Sequence, residues 1–318
     1  MKNLVKWAIY IIGFFIFLLI LIFGFIQIRG IPSYDTVSIA YDVESSPKRV
    51  ERGGKLVKSL CIGCHVNRQL GNLSGGKMMD APKEFGEIYA PNITKDTQYG
   101  IGGWTDAEIM YLLRTGIKRD GSYVPPYMAK LPMLSDEDMA SIISFLRSED
   151  PMVKASSTPD KASEPSFLTK FLSNTIFKPF PLPETKIADP DTSNSIELGR
   201  YLAFNLECYS CHSADFKTNN FFEPEKSVGY FGGGNKTLNL LGDEILTANL
   251  TPDKETGIGD WTKEQFVKAV KSGQVEGGNA LRYPMNPYVH FSEKEIGAIY
   301  DYLQSIPPIK NDVKRSGL

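Results

Sequence analysis

Apolar and polar positions along the chain fall into three regimes. From Trp7 to Ile28 run 22 residues without a charge, and only Gln27 interrupts them. At about 1.5 Å per residue a helix of that length spans a hydrocarbon core of roughly 30 Å. A helix buried on one side would keep a polar face, and this one has none. Lys2 and Lys6 precede it like a signal n-region, but the exit Gly24-Phe25-Ile26-Gln27-Ile28-Arg29 is a poor cleavage site. Residues 1–29 are therefore expected to form an uncleaved signal-anchor that crosses the membrane.

The second regime has helical periodicity and occurs twice. Thr105-x-x-Glu108 and Thr262-x-x-Gln265 read as capping boxes that lead into the stripes Ile109, Leu112, Leu113 and Phe266, Ala269, Val270. Gly116 and Gly273 predict the ends of those helices. Ser135 and Ser292 open another pair, with Met139, Ile142, Ile143, Leu146 and Ile296, Ile299, Tyr300, Leu303 as the apolar faces. No strand-like alternation of any length competes. The third regime, Ser148 to Ser195, is rich in Pro, Ser, Asp and Lys. It reads as a linker, apart from the helical stripe Phe167, Leu168, Phe171, Leu172 and Ile176, which is expected to pack on a domain or on the membrane surface.

The twofold pattern is an internal repeat. Asn92-Ile93-Thr94 through Gly102-Gly103-Trp104-Thr105 returns as Asn249-Leu250-Thr251 through Gly259-Asp260-Trp261-Thr262, at a constant offset of 157. Upstream, Gly53, Leu56 and Leu60 match Gly199, Leu202 and Leu206 at an offset of 146. The second copy thus carries about ten extra residues, placed in the loop around Phe221 to Asn235. The predicted organisation is an anchor at 1–29, one domain at 45–150, a linker with an apolar helical segment at 151–192, and a second domain at 193–310. The predicted class is all-α.

Charge adds little beyond an exclusion. Lys and Arg number 35 against 37 Asp and Glu, and the part after residue 29 keeps 32 basic against 37 acidic residues. Such a mildly acidic head does not suggest a nucleic-acid partner.

Cysteine usage is more telling. All four cysteines lie in C-x-x-C pairs, and each pair is followed at once by one of the three histidines: Cys61-Ile62-Gly63-Cys64-His65 and Cys208-Tyr209-Ser210-Cys211-His212. This is the c-type haem attachment pattern. Two thiols on one turn add across two vinyl groups of one haem edge, and the next imidazole then reaches the iron. A structural zinc site would gather its pairs within one small unit, and a thioredoxin-like pair would want a βαβ setting. Two covalently bound haem c groups are expected, with His65 and His212 on the irons.

Met128 and Met285 are the candidate opposite ligands. Both sit in proline-bearing loops at the 157 offset, seven residues before a helix-starting serine. Met133 and His290 also correspond at that offset and compete for the role. Trp104, Trp261, Asn92 and Asn249 read either as haem propionate partners or as corner packing. Arg114 and Lys271 face a propionate or end a solvated helix.

The run Asn249-Leu250-Thr251-Pro252-Asp253 to Trp261-Thr262, set between C-x-x-C-H and a Pro-Met loop, resembles the membrane-anchored multihaem cytochrome c family. That family includes the cytochrome subunits of periplasmic alcohol and gluconate dehydrogenases, which commonly carry three such motifs where this chain has two. The resemblance implies that Cys61, Cys64, Cys208 and Cys211 attach the haems, with His65 and His212 proximal and Met128 and Met285 distal. It also implies haem domains on the extracytoplasmic side of the inner membrane, on a single-pass anchor.

The chain has no Ser/His/Asp set, phosphate-binding glycine loop or nucleotide-cofactor fingerprint. The expectation is an electron-transfer protein rather than an enzyme: a membrane-anchored dihaem carrier of single electrons in a respiratory chain. It would meet a redox partner at the membrane and take no small organic substrate. An electron-accepting subunit of a dehydrogenase or oxidase complex is the alternative, and a dihaem peroxidase a further one.

Overall fold

A computed structural model describes residues 2–275, 277, 278 and 280–313. Helix α1 (Lys2–Arg29) leads the chain and is long and apolar enough to cross a membrane. Most of its large apolar side chains are more than half exposed, and Ile26, at its carboxyl end, is buried. The following helices are α2 (Pro47–Leu60), α3 (Ile62–His65), α4 (Asp106–Thr115), α5 (Asp136–Leu146), α6 (Phe167–Thr175), α7 (Ser195–Asn205), α8 (Cys208–His212), α9 (Lys263–Ser272) and α10 (Glu293–Ser305).

The predicted helix boundaries rest on caps that the structure contains. Thr105 Oγ1 accepts from the Glu108 amide while Glu108 Oε2 accepts from the Thr105 amide, and Thr262 with Gln265 does the same. Ser135 and Ser292 cap α5 and α10. Gly116 (φ +83°) and Gly273 (φ +74°) close α4 and α9 in the left-handed region, where a side chain would be strained.

Two helix pairs dominate the packing: α2 on α5, and α7 on α10. Their cores merge into one continuous apolar cluster that runs from Leu56 and Ile143 to Leu202 and Ile299. Polar groups tie the pairs together. Arg52 on α2 forks onto Asp138 (2.7 and 2.8 Å) and reaches Glu295 of α10 (2.7 Å), and the Tyr201 hydroxyl donates to Asp138 (2.7 Å).

The chain is mostly helical, and among the described residues three short two-stranded antiparallel ribbons accompany the helices: β1 (Gly76–Lys77) with β3 (Tyr89–Ala90), β2 (Gly86–Glu87) with β4 (Glu164–Pro165), and β5 (Lys236–Leu238) with β6 (Glu244–Leu246). Strands of two or three residues are too short to leave an alternating pattern. The β2–β4 pair fastens the supposed linker to the first half, as does buried Val153, whose carbonyl accepts from the Lys95 amide (2.9 Å).

Candidate haem-binding site

Each C-x-x-C-H motif lies on a short helical turn, α3 with Cys61 as its cap or α8, that follows closely on a long helix. Such a turn places both thiols on one edge and the imidazole beyond them. His65 Nδ1 lies 2.8 Å from the Pro91 carbonyl, and His212 Nδ1 lies 2.8 Å from the Ala248 carbonyl. A carbonyl oxygen can only accept, so Nδ1 carries the proton in both rings. The lone pair is then on Nε2, the usual arrangement of a histidine that binds iron. Pro91 and Ala248 correspond at the 157 offset, so the repeat extends to hydrogen bonds that no motif search would find.

The Asn-x-Thr blocks explain how those carbonyls are held. Asn92 Oδ1 accepts from the Thr94 amide (2.9 Å) and hydroxyl (2.7 Å), and Asn249 accepts identically from Thr251. The amide nitrogens donate to Ser156 and Thr158 carbonyls in one copy, and to the Ile309 carbonyl and Thr256 hydroxyl in the other. Both side chains are buried with their bonding capacity committed to backbone and threonine. Of the two sequence readings, packing is therefore the one observed: the asparagines brace the loop whose preceding carbonyl orients the histidine.

The methionine loops are replicated in the same way. Leu131 donates to the Leu113 carbonyl and Val124 to Gly116; Tyr288 donates to Val270 and Leu281 to Gly273, all at 2.7–2.9 Å. Each loop is thereby sewn at both ends onto the helix before it, with a turn from Pro125 to Met128 or from Arg282 to Met285. Met128 is half-buried against the main core. Met133 is 39% exposed, and His290 lies on an exposed stretch.

In the second half these parts meet. A cavity of about 360 Å³ is lined by Cys208, Cys211, His212 and Met285, with apolar walls that include Phe266 and Leu303. Two thiols, an imidazole and a thioether around an apolar slot fit a covalently held haem. In the first half, Cys61 and Met128 pack on the main core, and Cys64 packs on a smaller cluster of Met78, Ile88 and Ala90.

The thiols fit attachment better than redox exchange. Burial pushes Cys61, Cys64 and Cys208 up to about 12 and Cys211 up to about 11. Reactive cysteines lie in settings that lower them instead.

Trp104 and Trp261 are half-buried against the core; Arg119 covers the Trp104 ring at 5.4 Å, and the Trp261 carbonyl accepts from the Tyr300 hydroxyl. Arg114 differs from both readings of its sequence position. It is 2% exposed and donates to the carbonyls of Leu131, Pro132 and Leu134 and to Asp136. Its role is to clamp the chain just after Met128.

Other residues near the sites carry no sequence signal. Lys58 and Ser59, which precede the first motif, line the second cavity. The Asp80 carboxylate helps to raise Cys64, second to burial, and adds a smaller push to Cys211, behind burial and Glu207; its Oδ1 is buried without a hydrogen-bond partner among the described residues. Arg68 lies over the Tyr283 ring at 6.0 Å. Glu207, at φ +61°, is half-buried and Lys130 is buried, and desolvation draws each toward about 7. The two motifs are thus neighbours across the junction of the halves.

Comparison with known proteins agrees with this geometry. The chain is 28% identical over 289 residues to the cytochrome c subunit of a quinone alcohol dehydrogenase from Gluconobacter oxydans, covering 85% of this chain and 57% of that protein. It is 29% identical over 270 residues to a fructose dehydrogenase cytochrome subunit from Gluconobacter japonicus, covering 81% and 52%. A dihaem c-type cytochrome from Cereibacter sphaeroides is 27% identical over 267 residues, covering 79% and 83%. The chain spans less than two thirds of the length of both dehydrogenase relatives. The cytochrome c family model matches residues 50–150 and 196–307, well over half of the sequence. With two C-x-x-C-H sites, paired histidine tautomers and matched methionine loops, the chain belongs to the cytochrome c family, whose cofactor is haem c.

Proposed function

We propose that this protein is a membrane-anchored dihaem cytochrome c that carries single electrons. In this reading residues 45–150 and 193–310 are two tandem haem domains. Cys61 and Cys64, and Cys208 and Cys211, hold the porphyrin edges; His65 with Met128, and His212 with Met285, hold the irons. Helix α1 anchors the chain in the inner membrane by a single pass, with both domains outside the cytoplasm. The observation that carries the proposal is the cavity that gathers Cys208, Cys211, His212 and Met285.

Bound haem supplies the Fe(III)/Fe(II) couple, and thioether ligation favours the reduced state. The chain's own contribution is positional. Pro91 and Ala248 fix the imidazole tautomers, and the stitched loops hold the methionines against displacement. Apolar walls such as Phe266 and Leu303 keep water from the second site. Neighbouring motifs at the junction of the halves favour passage of an electron from one site to the other within the chain.

The relatives support a second reading, in which the same chemistry serves a dehydrogenase partner as its electron-accepting subunit. Both accounts need a redox partner at the membrane. A dihaem peroxidase needs one exchangeable iron position, against which the two equivalent methionine loops argue.

The test is the near-infrared spectrum of the oxidised, haem-loaded protein. Two methionine-to-Fe(III) charge-transfer equivalents are expected, falling to one in Met128→Leu and in Met285→Leu. Retention of both bands in either variant would overturn the ligand assignment. Stoichiometric co-purification with a dehydrogenase in mild detergent would favour the subunit reading over the free carrier.

A further inference from the structure

The stripe Phe167 to Ile176, within the stretch 151–192 between the two halves, belongs to neither haem site. It forms α6, whose three sides have different surroundings. One side faces the first half: Thr169 and Ser173 are fully buried, Thr169 Oγ1 donates to the Phe85 carbonyl (2.8 Å), and the Ser166 amide donates to the same oxygen (2.9 Å). A second side faces the anchor. Phe167 stacks on Phe23 of α1 at 4.3 Å between centroids, with Phe171 stacked behind it at 6.2 Å. Asn174 Nδ2 donates to the Gly30 carbonyl (2.8 Å), which ties the far end of α6 to the residue where α1 stops. The third side is apolar and uncovered: Leu168 is 42% exposed, Phe171 36% and Ile176 66%.

We propose that this third side is embedded in the headgroup and acyl boundary of the bilayer that α1 spans, so that α6 is a second, interfacial membrane contact. The inference rests on the reading of α1 as a membrane anchor. Its carrying observation is depth. Phe23 stands six residues before Arg29, about 9 Å along a helix axis, and Phe167 is stacked directly upon it. Amphipathic interfacial helices lie roughly 5–10 Å into that same boundary. Basic residues ring the contact, with Arg29 ending α1, Lys170 within α6 and Lys178 just beyond it, as suits anionic headgroups. A bilayer is the occupant already demanded by the exposed apolar surface of α1, and the third side of α6 continues that surface.

The consequence is orientation. A single helix followed by a flexible strand of chain would let the head tumble. Here α6 is bonded to Phe85, the adjoining β2 pairs with β4, and Pro91, a few residues further, holds His65. An interfacial α6 therefore sets the angle of the first haem site to the membrane plane, and so which face a membrane-bound partner meets.

The experiment uses the haem-loaded full chain in nanodiscs of phosphatidylethanolamine and phosphatidylglycerol. The native thiols are consumed by haem attachment, so spin labels enter singly through Leu168→Cys, Ile176→Cys, Ile16→Cys and Leu241→Cys. Leu241 is 87% exposed and reports water; Ile16 lies midway along α1. The readout is collisional accessibility to oxygen relative to a nickel chelate. Labels at 168 and 176 are expected to give an oxygen-to-nickel ratio several-fold above that at 241 and below that at 16. If 168 and 176 match 241 while 16 reads hydrocarbon, the interfacial helix is refuted and the anchor stands. If 16 also reads water, the anchor itself fails. If 168 and 176 are shielded from both reagents, protein covers the face, and the lipid assignment is overturned.

Discussion

Gly53 on α2 and Gly199 on α7 occupy equivalent crossings. A Cβ on residue 53 would run into the Ser141 carbonyl oxygen and stand 2.9 Å from Phe145 Cβ; on residue 199 it would run into the Ala298 carbonyl oxygen and stand 2.9 Å from Tyr302 Cβ. Ser141 and Ala298 correspond at the repeat offset of 157. The obstacle is helix backbone, which cannot rotate aside as a side chain can, so α5 or α10 must retreat by about 1 Å or more to regain ordinary contact. Overpacking of this kind costs about 1–3 kcal/mol, and the upper part of that range applies where backbone blocks the way. Against it stands the gain from replacing glycine inside a helix, up to about 1 kcal/mol. The net expectation for Gly53→Ala and for Gly199→Ala is a loss of roughly 2 kcal/mol. Gly297→Ala is the control: its Cβ would meet only side chains, the flexible stem of Lys263 at 3.3 Å and Val267 at an ordinary 3.9 Å, so the helix gain should prevail. Guanidinium unfolding of the haem-loaded protein, followed by far-ultraviolet circular dichroism, measures all three. Because α2 runs into Cys61 and α7 into Cys208, each variant should also disturb the charge-transfer band of one haem and spare the other. If Gly53→Ala and Gly199→Ala stay within about 0.5 kcal/mol of the parent, the close helix crossing is wrong.

Other perturbations address the junction between the halves. Arg52→Gln strands Asp138 and Glu295, and should cost about 2 kcal/mol, below the figure for a fully buried pair because Arg52 keeps a quarter of its side chain in solvent. Arg52→Lys should recover less than half of this in the same unfolding assay, since an ammonium cannot reproduce the fork. Asp80→Asn removes a carboxylate whose charge reaches both motifs, so spectroelectrochemical titration should show both midpoint potentials rising; a shift at neither haem would refute the placement. Burial raises Glu207 to about 7, opposed by Ser210 and Lys130. A raised carboxyl favours the folded state fully below its unfolded value of about 4.3, and that contribution is lost as pH rises through about 7. Glu207→Gln should therefore gain stability relative to the parent between pH 5 and 8, and a gap that does not change with pH would refute the assignment.

Local chemistry made much of this protein legible before any fold was known. An uncharged run of that length marks a helix able to cross a membrane, capping boxes are contained in four residues, and C-x-x-C-H places thiols and imidazole through the geometry of a single turn. The repeat then carried each inference from one half to the other, including the methionines, whose loops prove to be stitched identically. Position alone could not say that Arg114 is buried as a clamp or that Asn92 and Asn249 are braces, because those roles depend on carbonyls many residues away that become neighbours only when the loops close.

The ribbons were invisible for a related reason: pairs of two or three residues are held by backbone hydrogen bonds, to which side-chain pattern contributes almost nothing. The junction of the halves was likewise decided by tertiary packing. Nothing in the composition of residues 58 and 59 places them on the wall of the second cavity, and nothing around Asp80 announces that it faces both motifs. The stripe in the linker was readable as an apolar helix, but its partner was not. Periodicity shows that a face must be covered; only the stacking of Phe167 on Phe23 shows by what.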